Sequence, residues 1–210
     1  VSHGSVSPYH KGLFGLETIN IYPYKFNKLY VWSKEYANSL KNYGNIYKEN
    51  EIYICGWLNK TYRKLDNNIK KNKFVLYPYE HVADFNNIKL MISYFLNKNY
   101  KLIVKKRPSV NNYSYLEKYN PLFVDQFSDD QIEESICFIA SATSLIFDFQ
   151  FTGKAIVIPD NKNFNVYKNV ELTNIFLFEE NIEKKIMNVS LESKKVPVLD
   201  KQFISEINSV

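Results

Sequence analysis

Three small hydroxyl residues, Ser141, Thr143 and Ser144, stand directly after the apolar run Cys137-Phe-Ile-Ala140 and ahead of Leu145-Ile-Phe-Asp-Phe149. A buried strand followed by this composition predicts a short helix that begins at the hydroxyls, with free backbone N–H groups aimed at one spot. Such a helix start favours an anion, typically phosphate, because unpaired N–H groups and the helix dipole both present positive charge there. The same hydroxyls also serve as helix caps, worth about 1 kcal/mol, and the two roles are compatible. Asp148, between Phe147 and Phe149, is placed either to accept a ribose hydroxyl or to act as a structural carboxylate tied to a loop. His81, in Tyr79-Glu-His-Val82, follows a strand end on the side where α/β sheets receive ligands. Lys105, Lys106 and Arg107 emerge after the apolar run Leu102-Ile-Val104, as a cleft-facing group or as a solvated basic turn. Taken together these residues suggest a nucleotide or nucleotide-sugar site.

The elements that must position them follow from the hydrophobic pattern. Ala155-Ile-Val-Ile158 is a second buried run after the Gly153-Lys154 turn, and both it and Cys137–Ala140 are of parallel-sheet type. Further strands are expected at Leu29–Trp32, Glu51–Cys55, Phe74–Tyr77, Lys101–Val104, near Phe123-Val124, and at Asn174–Phe178. Helices are expected over Lys34–Tyr43 after a Ser33 cap, and over Ala83–Asn97, where Ile88, Met91, Ile92, Phe95 and Leu96 share one face. Two more are expected at Asp129–Ile136, with Asp129 and Asp130 as helix-start residues, and at Glu180–Val189. The stretch after Asp160 reads as irregular, and Asn59–Lys73 as a mobile loop. Alternation of strands and helices from residue 74 onward implies βαβ units: an α/β, Rossmann-like parallel sheet with helices on both faces.

Composition bounds the reading. The 210 residues suffice for one large domain, expected over 1–210, with 1–28 as an interdomain loop or linker and 190–210 as a C-terminal tail. A hydrophobic fraction of 45% and an aromatic fraction of 16% argue against disorder. The net charge of +5 is spread over scattered lysines, which reads as a solvated surface and not a nucleic-acid interface, and remains compatible with an anionic membrane face. Cys55 and Cys137 lack metal-ligand spacing and read as core residues, so no metal and no cofactor are expected. No apolar run reaches membrane-spanning length and no signal peptide opens the chain, so the expected location is cytoplasmic, at most at the inner face of the cell membrane. The start at Val1-Ser-His-Gly4 suggests one half of a longer protein.

Several short motifs fall in a family order: His3-Gly4, Gly56 after a strand, Phe74-Val-Leu-Tyr-Pro78, Ile103-Val-Lys-Lys-Arg-Pro108, and the hydroxyl turn at 141–144 with Phe147-Asp-Phe149. Over residues 1–160 this resembles the C-terminal, donor-binding half of the GT-B transferases of bacterial surface polysaccharides. The nearest are the CDP-glycerol glycerophosphotransferases of teichoic acid synthesis and related capsule or lipopolysaccharide transferases. The resemblance implies a nucleotide-activated sugar or polyol-phosphate donor, a glycan or lipid-linked acceptor, and an N-terminal Rossmann-like half outside this chain. It implies His3 as general base, an imidazole suiting that task at neutral pH, with Gly4 allowing close approach of substrate. It implies donor contacts from His81, Arg107, Ser141, Thr143, Ser144 and Asp148. Arg107 stands where the family carries His before Pro, and a guanidinium can keep the phosphate contact in bidentate form. Trp57-Leu58 stands where the glycerophosphotransferase branch carries Pro-Arg, which points away from glycerol phosphate specifically. Two other readings share the fold: a nucleotide-sugar 2-epimerase, and a non-catalytic binding or assembly module. His10 has no such context and reads as a surface residue.

Overall fold

The computed structural model describes residues 28–31, 33–35, 37–38, 48–55, 73–80, 85–108, 110–141, 143, 145–169 and 172–187. The expectations for His3, Gly4, His10, Gly56, His81, Ser144 and the tail 190–210 lie outside the described residues. So do nearly all of the linker 1–28 and of the loop 59–73. The chain divides into two compact units, one of residues 1–62, 168–172 and 195–210, the other of residues 63–167 and 173–194.

In the first unit, β1 (Leu29–Val31) and β2 (Ile52–Ile54) pair in parallel, with Tyr30 opposite Tyr53. The two rings lie 5.7 Å apart, and Cys55 continues the ladder by donating its N–H to the Val31 carbonyl at 2.8 Å.

The second unit is a six-stranded sheet in the order β5-β4-β3-β6-β7-β8, every pair parallel. The strands are β3 (Phe74–Pro78), β4 (Lys101–Lys105), β5 (Leu122–Val124), β6 (Ser135–Ile139), β7 (Ala155–Ile158) and β8 (Ile175–Leu177). Counted from β3, the order is that of the doubly wound dinucleotide-binding sheet, 3-2-1-4-5-6. The α/β, Rossmann-like class read from the sequence is the observed one.

The strands at the centre are buried on both faces, which explains their unbroken apolar runs. On one face Val75, Tyr77, Leu102, Val104, Cys137, Ile139 and Val157 pack against helix α1 (Phe85–Asn97) and helix α6 (Ile182–Met187). Helix α1 buries Ile88, Met91, Ile92 and Phe95 on the stripe its spacing predicts, while Leu96 is only half-buried. Each fully buried side chain of this size contributes about 1.5–3 kcal/mol. On the opposite face Phe138 stacks flat on Phe149 of α4 (Ile146–Phe149), with centroids 3.8 Å apart. The short helices α2 (Ser114–Glu117), whose Leu116 joins the α1 and α6 face, and α3 (Asp129–Glu133) precede β5 and β6.

Two segments depart furthest from expectation. Helix α3 stops at Glu133, not Ile136, because Ser135–Ile139 are wholly buried and are drawn into the sheet as β6. A capping box fixes its start: Ser128 accepts from the Gln131 N–H, and the Gln131 side chain accepts from the Ser128 N–H. The stretch after Asp160, read as irregular, is helix α5 (Asn161–Asn169). Asp160 caps it, accepting from the Asn163 N–H at 2.8 Å.

The Gly153-Lys154 turn behaves as a structural joint. Gly153 takes a left-handed conformation (φ 71°) that a residue with a side chain enters at a cost. Lys154 then donates from Nζ to the carbonyls of Glu133 and Ser135 at 2.7 and 2.9 Å. These groups lie at the amino edge of the sheet, away from the ligand-binding edge of this fold class.

Candidate functional site

The strand order reverses between β3 and β6, and the carboxyl ends of these two strands border the crevice where doubly wound sheets bind ligands. All six parallel strands end at this edge, and the segments nearest the crevice include Tyr79-Glu80 after β3, Lys106-Arg107 after β4, and Ala140-Ser141 after β6.

The turn after β6 is knitted into the protein. Ser141 is 1% exposed, and each of its polar groups has a partner. Its N–H donates to Oε1 of Glu80 at 2.8 Å, its hydroxyl accepts from Asn163 Nδ2 at 3.1 Å, and its carbonyl accepts from the Tyr167 hydroxyl at 2.8 Å. Asn163 also donates to Asp160, which ties the amino end of α5 to the same turn. The expected free Ser141 N–H is therefore not met: a carboxylate from the neighbouring strand end holds it. Nor does a helix begin at the hydroxyl residues. Helix α4 starts at Ile146 with Leu145 in the capping position and no side-chain cap. Thr143 is half-buried and makes a local turn, its Oγ1 accepting from the Leu145 N–H at 3.3 Å. Asp148 is 3% exposed within α4, and Phe149 beside it stacks on the sheet.

Glu80 is the residue the sequence reading passed over. It is 2% exposed, and its own N–H donates to the Tyr77 hydroxyl at 3.4 Å. Tyr77 in turn shares a hydrogen bond with Tyr115. Burial, and then the charge of Glu80, push the Tyr77 phenol far above its ordinary value, so it stays protonated. Asn163 and Tyr167 were missed as well, because they ride on the helix that the sequence reading left out. The available signal was Asp160 three residues before Asn163, a cap spacing.

The turn after β4 is built differently. Its backbone is fixed by Tyr113, whose hydroxyl accepts from the Arg107 N–H at 2.9 Å and donates to the Arg107 carbonyl at 3.0 Å. Tyr113 packs edge-on to Tyr79 at 4.9 Å and against Phe123 at 5.1 Å. Burial and Tyr113 push the Tyr79 phenol up, and the positive charge of Arg107 pulls it part of the way back. Lys106 pairs with Asp125 at 3.0 Å, whereas Arg107 is exposed and makes no ion pair among the described residues. Arg107 and Ser141 thus flank β3 on the same edge, about 10 Å apart by strand spacing.

Among the described residues no three His, Cys, Asp or Glu side chains gather as metal ligands, and no helix is long and apolar enough to cross a membrane.

No protein-family model matches the sequence, and no curated protein matches it by sequence. Solved structures resemble the chain only distantly. The glycotransferase of kitacinnamycin is 11% identical with a TM-score of 0.37, covering 68% of this chain and 38% of that one. The wall teichoic acid polymerase TagF, in a crystal soaked with CDPG, is 16% identical with a TM-score of 0.44, covering 88% of this chain and 51% of that one. A second TagF structure gives 12% and 0.39 over 88% of this chain and 52% of that one. The chain spans about half the length of TagF, and glycosyltransferases are among the proteins it is similar to.

Proposed function

We propose that this chain is the donor-binding half of a metal-independent GT-B transferase, one that moves a sugar or a polyol phosphate from a nucleotide carrier onto a bacterial cell-surface glycan or lipid-linked acceptor. The observation that carries the reading is Arg107, an exposed guanidinium held by its backbone at the carboxyl edge of a 3-2-1-4-5-6 sheet. A fork of charged donors there suits the phosphates of a nucleotide donor and the charge that develops on the leaving group. Thr143 keeps a half-exposed position on the other flank and is a second candidate donor contact. By sequence Ser144 belongs to the turn after β6 and His81 to the turn after β3.

In this reading His3 takes the proton from the acceptor hydroxyl, with Gly4 beside it, and Arg107 neutralises the departing nucleotide phosphate. Asp148 touches the nucleoside only if the ligand reaches a buried carboxylate, so it ranks behind Arg107. Ser141 acts through the shape of its turn, its polar groups being engaged by the protein. The protein works in the cytoplasm, at or near the inner membrane face, together with an N-terminal Rossmann-like half outside this chain.

The test is a thermal-shift panel of CMP, CDP, UDP and GDP with their sugar and glycerol conjugates. A ligand that binds only the folded state raises the melting temperature by mass action, about 2.7 kcal/mol of stabilisation at a hundredfold excess over Kd. A shift confined to one base is the expected result. His3→Ala should then abolish turnover and leave nucleotide affinity within twofold. Retained turnover removes His3 as the base, and silence across the panel in folded protein favours a non-catalytic module.

A further inference from the structure

We infer that Glu80 excludes phosphate from the end of β6: its carboxylate fills the anion position that the Ser141 N–H defines, so the part of a ligand lying over the β3–β6 crevice is uncharged. This deepens the proposed function and rests on it only in taking the ligand to be nucleotide-linked.

Four observations converge. The Ser141 N–H lies at a strand end beside the switch point, on the edge where doubly wound sheets receive ligands. Here that donor is spent on Glu80 Oε1 at 2.8 Å, a hydrogen bond to a charged acceptor and so among the stronger kinds. Glu80 cannot simply swing away: it is 2% exposed, and its backbone is tied to the buried Tyr77 hydroxyl. The Ser141 hydroxyl and carbonyl are held by Asn163 and Tyr167, so they cannot turn toward a ligand in place of the N–H.

The sequence after β3 argues the same way. Doubly wound folds that seat a pyrophosphate at the first strand end use glycines there, so that backbone and phosphate can approach closely. Tyr79-Glu-His-Val-Ala-Asp84 contains no glycine and presents a carboxylate at that point. A phosphate over this crevice would meet the Glu80 carboxylate, a group of its own sign. Among the described residues the exposed cations at this edge include Arg107, one strand away on the β4 side, and Lys162 at the start of α5. The hydroxyl-bearing portion of the ligand is thereby placed over β3 and β6, and its phosphates to either side of that crevice.

Inorganic pyrophosphate is the probe, because it carries the charge and nothing else. In 15N-labelled wild-type protein, pyrophosphate titrated to about 50 mM should leave the Ser141 amide resonance unmoved, whether or not residues 106–108 shift. In Glu80→Gln, which keeps an acceptor for the Ser141 N–H and removes the charge, pyrophosphate should bind at least tenfold more tightly and should move that resonance. A wild-type Ser141 amide displaced by pyrophosphate overturns the inference, as does a folded Glu80→Gln with unchanged affinity. If Glu80→Gln does not fold, the wild-type titration decides alone. A silent nucleotide panel together with a tenfold gain in Glu80→Gln would reject the nucleotide-linked ligand and the transferase reading, and keep the exclusion of phosphate at Ser141.

Discussion

Two turns on the same sheet edge have opposite constructions. After β4, the backbone is clamped by Tyr113 and the Arg107 side chain is left outside. After β6, backbone and side chain of Ser141 are both consumed by Glu80, Asn163 and Tyr167. The first invests protein hydrogen bonds in presenting a charge, and the second invests them in a fixed shape. A preorganised exposed cation binds anions with little reorganisation. A buried turn with every polar group paired gives rigidity and offers no donor to a ligand. Ligand affinity should therefore reside at β4 and stability at β6.

The largest effect expected from this division is on Arg107→Gln. Losing one charged hydrogen bond of about 1.5–3 kcal/mol should weaken binding of whichever nucleoside diphosphate the panel identifies by roughly 10- to 100-fold. The melting temperature should change by no more than about 1 °C, since the side chain is exposed and unpaired among the described residues. Calorimetric titration beside a thermal melt reads both quantities, and a drop in stability with affinity intact would reverse the assignment. The mirror experiment is Tyr167→Phe. It leaves the buried Ser141 carbonyl without its partner at 2.8 Å and should cost about 1–2 kcal/mol in chemical denaturation, with nucleotide affinity unchanged within twofold. A tenfold loss of affinity from this variant would show that the β6 turn shapes the ligand site after all.

The two turns also differ in how far the sequence reveals them. The sheet was legible, because its central strands are buried on both faces and so read as short unbroken apolar runs. The position of Arg107 was legible from the motif Ile103-Val-Lys-Lys-Arg-Pro108, whereas Glu80, equally charged and equally just past an apolar run, is buried. What failed was the inference from composition to free donors at Ser141. Hydroxyl residues after a strand report that polar groups will be satisfied, not by whom. The answer depended on Glu80, 61 residues earlier, and on helix α5. The segment Asn161-Lys-Asn-Phe-Asn-Val-Tyr-Lys-Asn169 is poor in strong helix formers, so propensity argued for a loop. Tertiary context won: the Asp160 cap and the buried Tyr167 pay for the helix. A boundary error at α3 has the same origin, since acidic and apolar residues alone could not say where burial would stop a helix and start β6.

A third polar cluster shows whether internal pairing and ligand binding are separable across the whole unit. Tyr94 on α1 donates its hydroxyl to Glu183 on α6, and Lys98 reaches the same carboxylate at 3.4 Å. Burial first, then the hydrogen bond and charge of Glu183, push the Tyr94 phenol up to about 12. Burial acts to raise the Glu183 carboxyl, but the hydrogen bonds from Tyr94 and Lys98 prevail and hold it below the usual carboxylate value. Since the folded phenol holds its proton more tightly than an unfolded one of about 10, the stability it brings is complete below pH 10 and is lost as pH rises toward 12. The depressed carboxyl works in the other direction: its contribution is present above an unfolded value of about 4.3 and fades as pH falls. Tyr94→Phe should therefore flatten the loss of stability between about pH 10 and 12 and soften the acid-side loss. At pH 7 it should cost at most about 1 kcal/mol, the smallest change of the series, because the pair is only partly buried. Denaturant midpoints measured across pH read this slope directly. An unchanged alkaline slope would mean that the hydroxyl is not held by Glu183 in solution, and a changed nucleotide affinity would mean that the helix layer reports to the crevice.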